Sequence, residues 1–436
     1  MKFKLLIGCV LVIWHCLAHA EVQCTNDDLR YAGSNNTLYI QGGAICRVAD
    51  IANLKPKLMV EQNPGVYLLK ANIKIVDGSV FLIDGDDSSL PTLELRLLSN
   101  NTNLPNSVVN LTADYGIIQI NNTKVLSWDE AAQGPDTDYV TGNRAYIRVR
   151  SSTIENQSRM DVIDSDVSYL GYYSSESYGL TWKVSGTLND VSVYGNIINS
   201  HIHHNYFGVY TYGAKSMMIS GNEFNSNIKY GLDPHDDSDY LTIINNSSHD
   251  NGDHGIICSQ RCNNLIVRYN NSYNNAGHGI MFHRSVDNSI IEYNNIFNNA
   301  DTGIALFESN NNIVRGNLIQ GNKNGIRLSV GSSSNRFFTN IILGSLDNSI
   351  YTYKGTDLPV RDGNDGVNMN NIWMFNKVSS SGSYVLKLNA TDGDLFSFND
   401  FTGNENSQFL LKGASNTKFN GNLVDFGSSL QPSFRS

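Results

Sequence analysis

Seven consecutive residues, Tyr230-Gly231-Leu232-Asp233-Pro234-His235-Asp236, bring a phenol, an imidazole and two carboxylates together around one proline. These groups move protons. An imidazole accepts a proton near neutral pH, and a phenol with an ordinary pKa of about 10 serves better as a donor unless cations depress it. Removing a proton from one face of a carbon and returning one to the other face needs such a pair, each member contributing roughly 10²–10⁴-fold. Asp236 and its neighbour Asp237 also have a plainer use, since a carboxylate at a strand end commonly caps a turn or meets an arginine.

The motif sits on one unit of a repeat. Gly231, Gly255, Gly279, Gly303 and Gly325 recur at spacings of 24, 24, 24 and 22 residues. A fixed period above 20 residues, with a short strand in each period, predicts an all-β solenoid whose coils bury their apolar faces only by stacking on one another. The segments Met218–Asn222, Leu265–Asn270, Ser289–Asn294 and Asn312–Asn317 each run as a strand ending at Asn or Gly-Asn. Asparagine tolerates left-handed backbone and hydrogen-bonds onward through its side chain, so Asn at a corner of every coil predicts a stacked ladder.

Aligned on the glycines, positions +1 and +3 read Leu232 and Pro234, Ile256 and Cys258, Ile280 and Phe282, Ile304 and Leu306, Ile326 and Leu328. Alternate residues of a strand share a face, so this column is expected to point into the coil. Positions +2 and +4, read as facing solvent, carry Asp233 and His235, Ile257 and Ser259, Met281 and His283, Ala305 and Phe307, Arg327 and Ser329. Gly208 adds Tyr210 and Tyr212 to that face, and Gly179 adds Thr181 and Lys183. With Arg261 and Arg284 close by, aromatic, acidic, imidazole and cationic groups follow one another at about 4.8 Å per coil. Such a face suits a linear anionic sugar chain.

Charge and cysteines narrow the setting. Residues 1–20 read as a secretory signal, with Lys2 and Lys4 ahead of an apolar stretch and Ala18-His19-Ala20 at its end. Its loss would move the formal charge from −10 to −12, a balance that argues against nucleic acid as a partner. No second long apolar run follows, so no membrane span is expected. Cys24, Cys46, Cys258 and Cys262 would remain, permitting pairs Cys24 with Cys46 and Cys258 with Cys262 among three connectivities, and their spacing is not that of a zinc site. No metal ligand set is read, and His201, His203, His204 and His249 are taken as surface or turn residues. Nine Asn-x-Ser/Thr sequons, Asn246 and Asn270 among them, would suit a eukaryotic secretory route, although in so Asn-rich a chain many must arise by accident.

The heptapeptide resembles the Tyr-Gly-x-Asp-Pro-His-Asp/Glu signature of mannuronan C5-epimerases, which convert mannuronate to guluronate within alginate. Tyr169-Leu170-Gly171-Tyr172, Ser177-Tyr178-Gly179-Leu180 and His254-Gly255-Ile256-Ile257 are similar to the periplasmic bacterial branch, and the likeness covers roughly residues 140–345. It implies a right-handed parallel β-helix, with residues 21–139 as N-terminal cap and first turns, 140–354 as the central coils with the groove, and 355–436 as C-terminal turns and cap. It implies Tyr230 and His235 as the acid/base pair, with Asp233 orienting or tuning them. The calcium-dependent secreted branch carries an essential acid where Ser259 stands here, leaving Asp253 as a substitute, and it carries Gly-rich calcium repeats that this sequence lacks. The expectation is therefore no required cofactor, with calcium dependence open.

A uronate's carboxylate resists a second negative charge at C5, so a cation must stabilise the enolate-like intermediate. Lys183, Lys229, Arg261, Arg284 and His278 are candidates, and Tyr210, Tyr212, Asp236, Asp253, His254, His283 and Arg327 complete the expected substrate-binding set. The partner would be alginate or polymannuronate, met outside the cell, in a cell wall or in a bacterial periplasm; oligomeric state is not legible. Three other readings stay open. A lyase shares the first proton abstraction, a hydrolase would need carboxylates flanking the bond, and a non-catalytic carbohydrate-binding β-helix would account for the repeats but not for Asp-Pro-His.

Overall fold

The computed structural model describes residues 24–99, 108–186, 190–357, 359–361, 363–405 and 407–425. The leader expected over residues 1–20 and the sequon at Asn100 lie outside the described residues. The chain winds through three long sheets of 15, 14 and 16 strands, with a further sheet of three. Each coil contributes a strand to each long sheet, and successive coils pair in parallel. In the coil of the motif these strands are Leu232–His235, Thr242–Ile244 and Ser247–His249. Antiparallel pairs occur near the N-terminal end, between Leu29–Ala32 and Thr37–Ile40 and between Met59–Asn63 and Val66–Leu69, and at the excursion Gly134–Pro135. There the helix Val48–Leu54 turns Val48, Ala49 and Ile51 into the first coil, and a Cys24–Cys46 disulfide ties the segment down. Covering an open coil end in this way keeps a solenoid's core from water.

The glycine period has a steric cause. A Cβ on Gly255 would lie 2.3 Å from Ser272 Oγ, and one on Gly279 would lie 2.4 Å from Ile296 Cγ2. The chain corner therefore packs directly on the next sheet's side chains, and only glycine fits. Inside the coils the +1 column stacks Leu232, Ile256, Ile280, Ile304 and Ile326, all fully buried, as the alternation requires.

Two asparagine ladders hold the other corners. In one, Asn222, Asn246, Asn270, Asn294, Asn317 and Asn340 each donate from Nδ2 to the next residue's Oδ1 at 2.9–3.0 Å, and the series continues to Asn376. The second runs Asn227, Asn251, Asn275, Asn299, Asn322 at 2.9 Å per step. Each amide also reaches a backbone carbonyl of an earlier coil, so the buried polar groups are satisfied in line. This corrects two sequons: Asn246 and Asn270 are buried ladder members, unreachable by a glycan.

Two further expectations are corrected. Cys258 and Cys262 do not pair; both thiols are buried, Cys258 in the inward column and Cys262 donating to the Ser259 carbonyl at 3.1 Å. The +2/+4 column does not face solvent throughout. Ile257, Met281, Ala305 and Phe307 are buried with Val330, and Tyr230 packs against them as a second apolar cluster outside the coil interior. A later segment anchors over this face: Val360 and Arg361 give backbone N–H groups to Glu308, Arg361 meets Asp287 at 2.7 Å, and Asp357 lies 4.0 Å from Arg284.

Candidate active site

The strand Leu232–His235 belongs to the 15-stranded sheet. Its neighbours set the register: Tyr210 lies opposite Asp233, and Tyr212 opposite His235, which in turn lies opposite Ser259 and then His283. On the upstream side Thr181 and Lys183 continue the same two columns. The expected outward face is thus assembled, although its floor is closed by the apolar cluster.

Asp233 is 2% exposed, and its Oδ1 has no hydrogen-bond partner among the described residues. Burial, opposed by His235 and reinforced by Asp236, pushes its carboxyl up to about 7. His235 presents Nδ1 to Asp236 Oδ2 at 2.5 Å. Burial works against its charged form, but Asp236 and Asp233 outweigh that and raise its pKa. An acceptor on Nδ1 fixes the tautomer and leaves Nε2 as the reactive nitrogen.

Asp236 and Asp237 both have left-handed backbone, as do Gln260 and Arg261, and Arg284 and Ser285, one and two coils on. Left-handed non-glycine residues recur at turns throughout the solenoid, Asn245, Tyr269 and Tyr293 among them, so this backbone belongs to the coil's geometry. Here the turn aims Arg261 back at the motif: its Nη2 meets Asp236 Oδ1 at 2.7 Å and Asp237 Oδ2 at 2.9 Å. Burial raises Asp236, but His235 and Arg261 hold it below the usual carboxylate range.

Tyr230 stands at the opposite end of the strand and belongs to a column the sequence reading missed. The residues immediately before the coil glycines are Tyr178, Phe207, Tyr230, His254 and His278. Their rings follow one another in that order at centroid distances of 4.5, 4.9, 5.3 and 4.6 Å, stacked except for the tilted Phe207–Tyr230 pair. Reading position −1 beside +2 and +4 would have joined Tyr178 and Phe207 to Tyr230, His254 and His278, which the sequence had already marked singly. Burial, with Asp253 and Asp233 nearby, raises the Tyr230 phenol above its ordinary value, so it stays protonated.

The imidazoles behind Tyr230 are neutral. His254 Nδ1 accepts the His278 backbone N–H at 3.0 Å and lies 3.1 Å from Asp253, and His278 Nδ1 accepts from Thr302 at 3.2 Å. Burial lowers both, with Arg327 adding to it; Arg327 Nη2 is 3.1 Å from His278 Nε2. His278 is therefore a buried stacking partner rather than a cation. Asp253 sits with His254 on this side and does not occupy the strand position of Ser259.

The remaining cations differ in commitment. Lys183 is bound to Glu176 at 2.6 Å and lies over the Tyr212 ring, while Lys229 is exposed beside Tyr230. Arg284 lies over Phe307, and His283 is held down to about 4 by burial and by Arg284 and His235. Tyr210 packs 5.5 Å from the His235 ring, its hydroxyl raised by burial and by Asp233.

Fold and site together define a solenoid that gathers aromatic, imidazole and carboxyl groups on one long face. The description "Right handed beta helix region" matches residues 97–285, 187–342 and 273–364, and the chain belongs to that family. It is similar to the mannuronan C5-epimerase AlgG of Azotobacter vinelandii, 32% identical over 316 residues, covering 69% of this chain and 55% of the relative. A mannuronan C5-epimerase of Pseudomonas aeruginosa is 33% identical over 317 residues, covering 71% and 55%. The chain thus spans about half the length of the curated relatives it matches. The crystal structure of the periplasmic alginate epimerase AlgG superposes with a TM-score of 0.73 at 24% identity over 89% of this chain and 85% of that one, which establishes the common fold.

Proposed function

We propose that the protein is a mannuronan C5-epimerase, an isomerase that converts β-D-mannuronate to α-L-guluronate within polymeric alginate. The observation that carries this reading is the placement of His235, backed by Asp236, and protonated Tyr230 at opposite ends of one strand with buried Asp233 between them. The polymer lies along the outer face of the 15-stranded sheet, across the Tyr210, Tyr212 and His283 coils. Arg261, whose charge bears on the motif through Asp236, neutralises the carboxylate of the reacting unit, with Arg284 on the next coil in support.

His235 Nε2 takes the C5 proton, and the electron pair of the broken C–H bond moves into the carboxylate as an enolate. The Tyr230 hydroxyl then protonates C5 from the other face, and the two groups exchange protons with solvent to reset. Asp233, near 7, is partly protonated at neutral pH and in that form donates a hydrogen bond toward the developing negative charge. No redox or group-transfer step arises, so the chemistry requires no cofactor; calcium would act on the polymer or on folding.

Asp236 and Asp237 both turn onto Arg261 and do not flank a bond, which weighs against hydrolysis. Export accords with the leader read over residues 1–20 and with the Cys24–Cys46 disulfide, a bond of oxidising compartments such as a periplasm or the cell exterior. No helix among the described residues is long and apolar enough to cross a membrane.

The test is proton NMR of polymannuronate incubated with the protein in D2O, with and without calcium. Guluronate with deuterium at C5 and unchanged chain length is expected. Unsaturated ends would make the protein a lyase, and an unchanged spectrum would leave a carbohydrate-binding β-helix.

A further inference from the structure

The 16-stranded sheet carries a second cluster of chemical groups, away from the proton-transfer motif. Asp166 lies on the strand Asp166–Ser168, and His201 and His203 lie on the neighbouring strand His201–His203, with Asp166 directly opposite His201. Two residues apart on a strand, the histidines share a face, and their rings stack at 4.0 Å. They lie on a strand rather than in a turn, and His201 keeps the surface exposure expected from the sequence.

Their inner atoms converge. Asp166 Oδ2 is 3.1 Å from His203 Nε2 and 3.4 Å from His201 Nδ1, and the three atoms fall within 4.8 Å of one another. A tetrahedral ion bonded to nitrogen and oxygen at roughly 2.0–2.1 Å keeps its ligand atoms roughly 3.3 Å apart, which matches both of the aspartate distances.

The outer atoms decide what the inner ones carry. His201 Nε2 lies 2.8 Å from Asn225 Oδ1, an acceptor, so that nitrogen holds the proton and Nδ1 turns a lone pair inward. His203 Nδ1 lies 2.7 Å from His204 Nδ1; with His203 as donor, its Nε2 is likewise bare. In those tautomers two imidazole lone pairs and a carboxylate oxygen point at one spot, the donor set of a single bound cation. An imidazole that gives its outer N–H to an oxygen or nitrogen acceptor has the tautomer of a metal ligand. The cluster is reachable, with Asp166 and His201 about a third exposed, which leaves a coordination position for water.

We propose that Asp166, His201 and His203 form a binding site for one divalent transition-metal ion of the zinc class, clamping two successive coils at the rear of the solenoid. The site lies on a different sheet from His235 and takes no part in proton transfer; its effect is on stability.

The experiment uses untagged full-length protein, stripped with chelator, desalted and titrated with Zn2+ by calorimetry, with thermal unfolding measured in parallel. One ion per chain is expected, together with a rise in Tm. His201→Ala and His203→Ala should each weaken binding by more than roughly tenfold, the loss that even an outer partner causes. His249→Ala, on the same sheet but outside the trio, should leave both readings as they are. Circular dichroism confirms folding of each variant, and His201→Asn replaces any that fails. The visible spectrum of the Co2+ form, intense only for a tetrahedral site, reads the geometry directly. Binding below one equivalent, or equal binding by wild type and both alanine variants, would overturn the proposal and leave the cluster a proton-bridged ion pair.

Discussion

Replacing Asn270 by alanine tests what holds the coils in register. Its Oδ1 accepts the Asn246 backbone N–H at 2.9 Å and the Asn246 Nδ2 at 2.9 Å, while its Nδ2 donates to the Ile243 carbonyl at 2.9 Å and to Asn294 Oδ1 at 3.0 Å. Alanine removes all four. The Asn246 N–H is then a buried donor without its acceptor, at about 1–3 kcal/mol, and the other three bonds are worth about 0.5–1.5 kcal/mol each. Together the loss is about 2.5–7.5 kcal/mol, large against the stability of most domains. Asn271, one residue along, is exposed, so Asn271→Ala should cost less than about 0.5 kcal/mol. Urea unfolding followed by circular dichroism compares the pair, and hydrogen exchange at the Asn246 amide locates the damage, because a solenoid loosens coil by coil. Equal midpoints for the two variants, or full protection at Asn246 in Asn270→Ala, would refute the ladder's role.

The proposed chemistry makes further predictions. His235→Ala should lower kcat by roughly 10²–10⁴-fold with the fold intact. Tyr230→Phe should lose inversion to a similar degree while His235 still exchanges the C5 proton, so NMR in D2O would show deuterium in mannuronate without guluronate; loss of exchange as well would remove Tyr230 from the reprotonation step. His235 acts as a base only when unprotonated, and its pKa is raised chiefly by Asp236 against the effect of burial. Activity should therefore climb as pH rises through that value, and Asp236→Asn, which lowers the pKa, should move the acid limb of the kcat/KM profile to lower pH. The raised pKa has the opposite sign for stability: His235 favours the fold below its unfolded pKa, and that contribution is lost as pH rises through the folded value. Cys258 and Cys262 should resist a thiol reagent until the protein is unfolded, since both are fully buried and burial raises both thiols.

The coil and the motif were legible in the chain of residues, because both are local or strictly periodic. Gly231, Gly255 and Gly279 mark corners where any Cβ would collide with the next sheet, and the asparagines repeat wherever an amide must bridge coils. Asp233 and His235 share a face of one strand, so their mutual placement follows from strand geometry, whereas Tyr230 precedes the strand and joins them only through the turn at Gly231. Tertiary structure alone decided what repetition does not encode. The burial of Met281 and Phe307 accompanies a segment near Val360 that reaches Glu308 across 52 residues, a contact with no period to announce it. His254 and His278 became neutral rings behind Tyr230 because burial and the charge of Arg327 lower both, while backbone N–H groups donating to their Nδ1 atoms fix the tautomer. Cys262 found a carbonyl instead of Cys258, and Asp166 found His201 and His203 across a coil of irregular length, since a side chain's partner is set by the coil it lands beside.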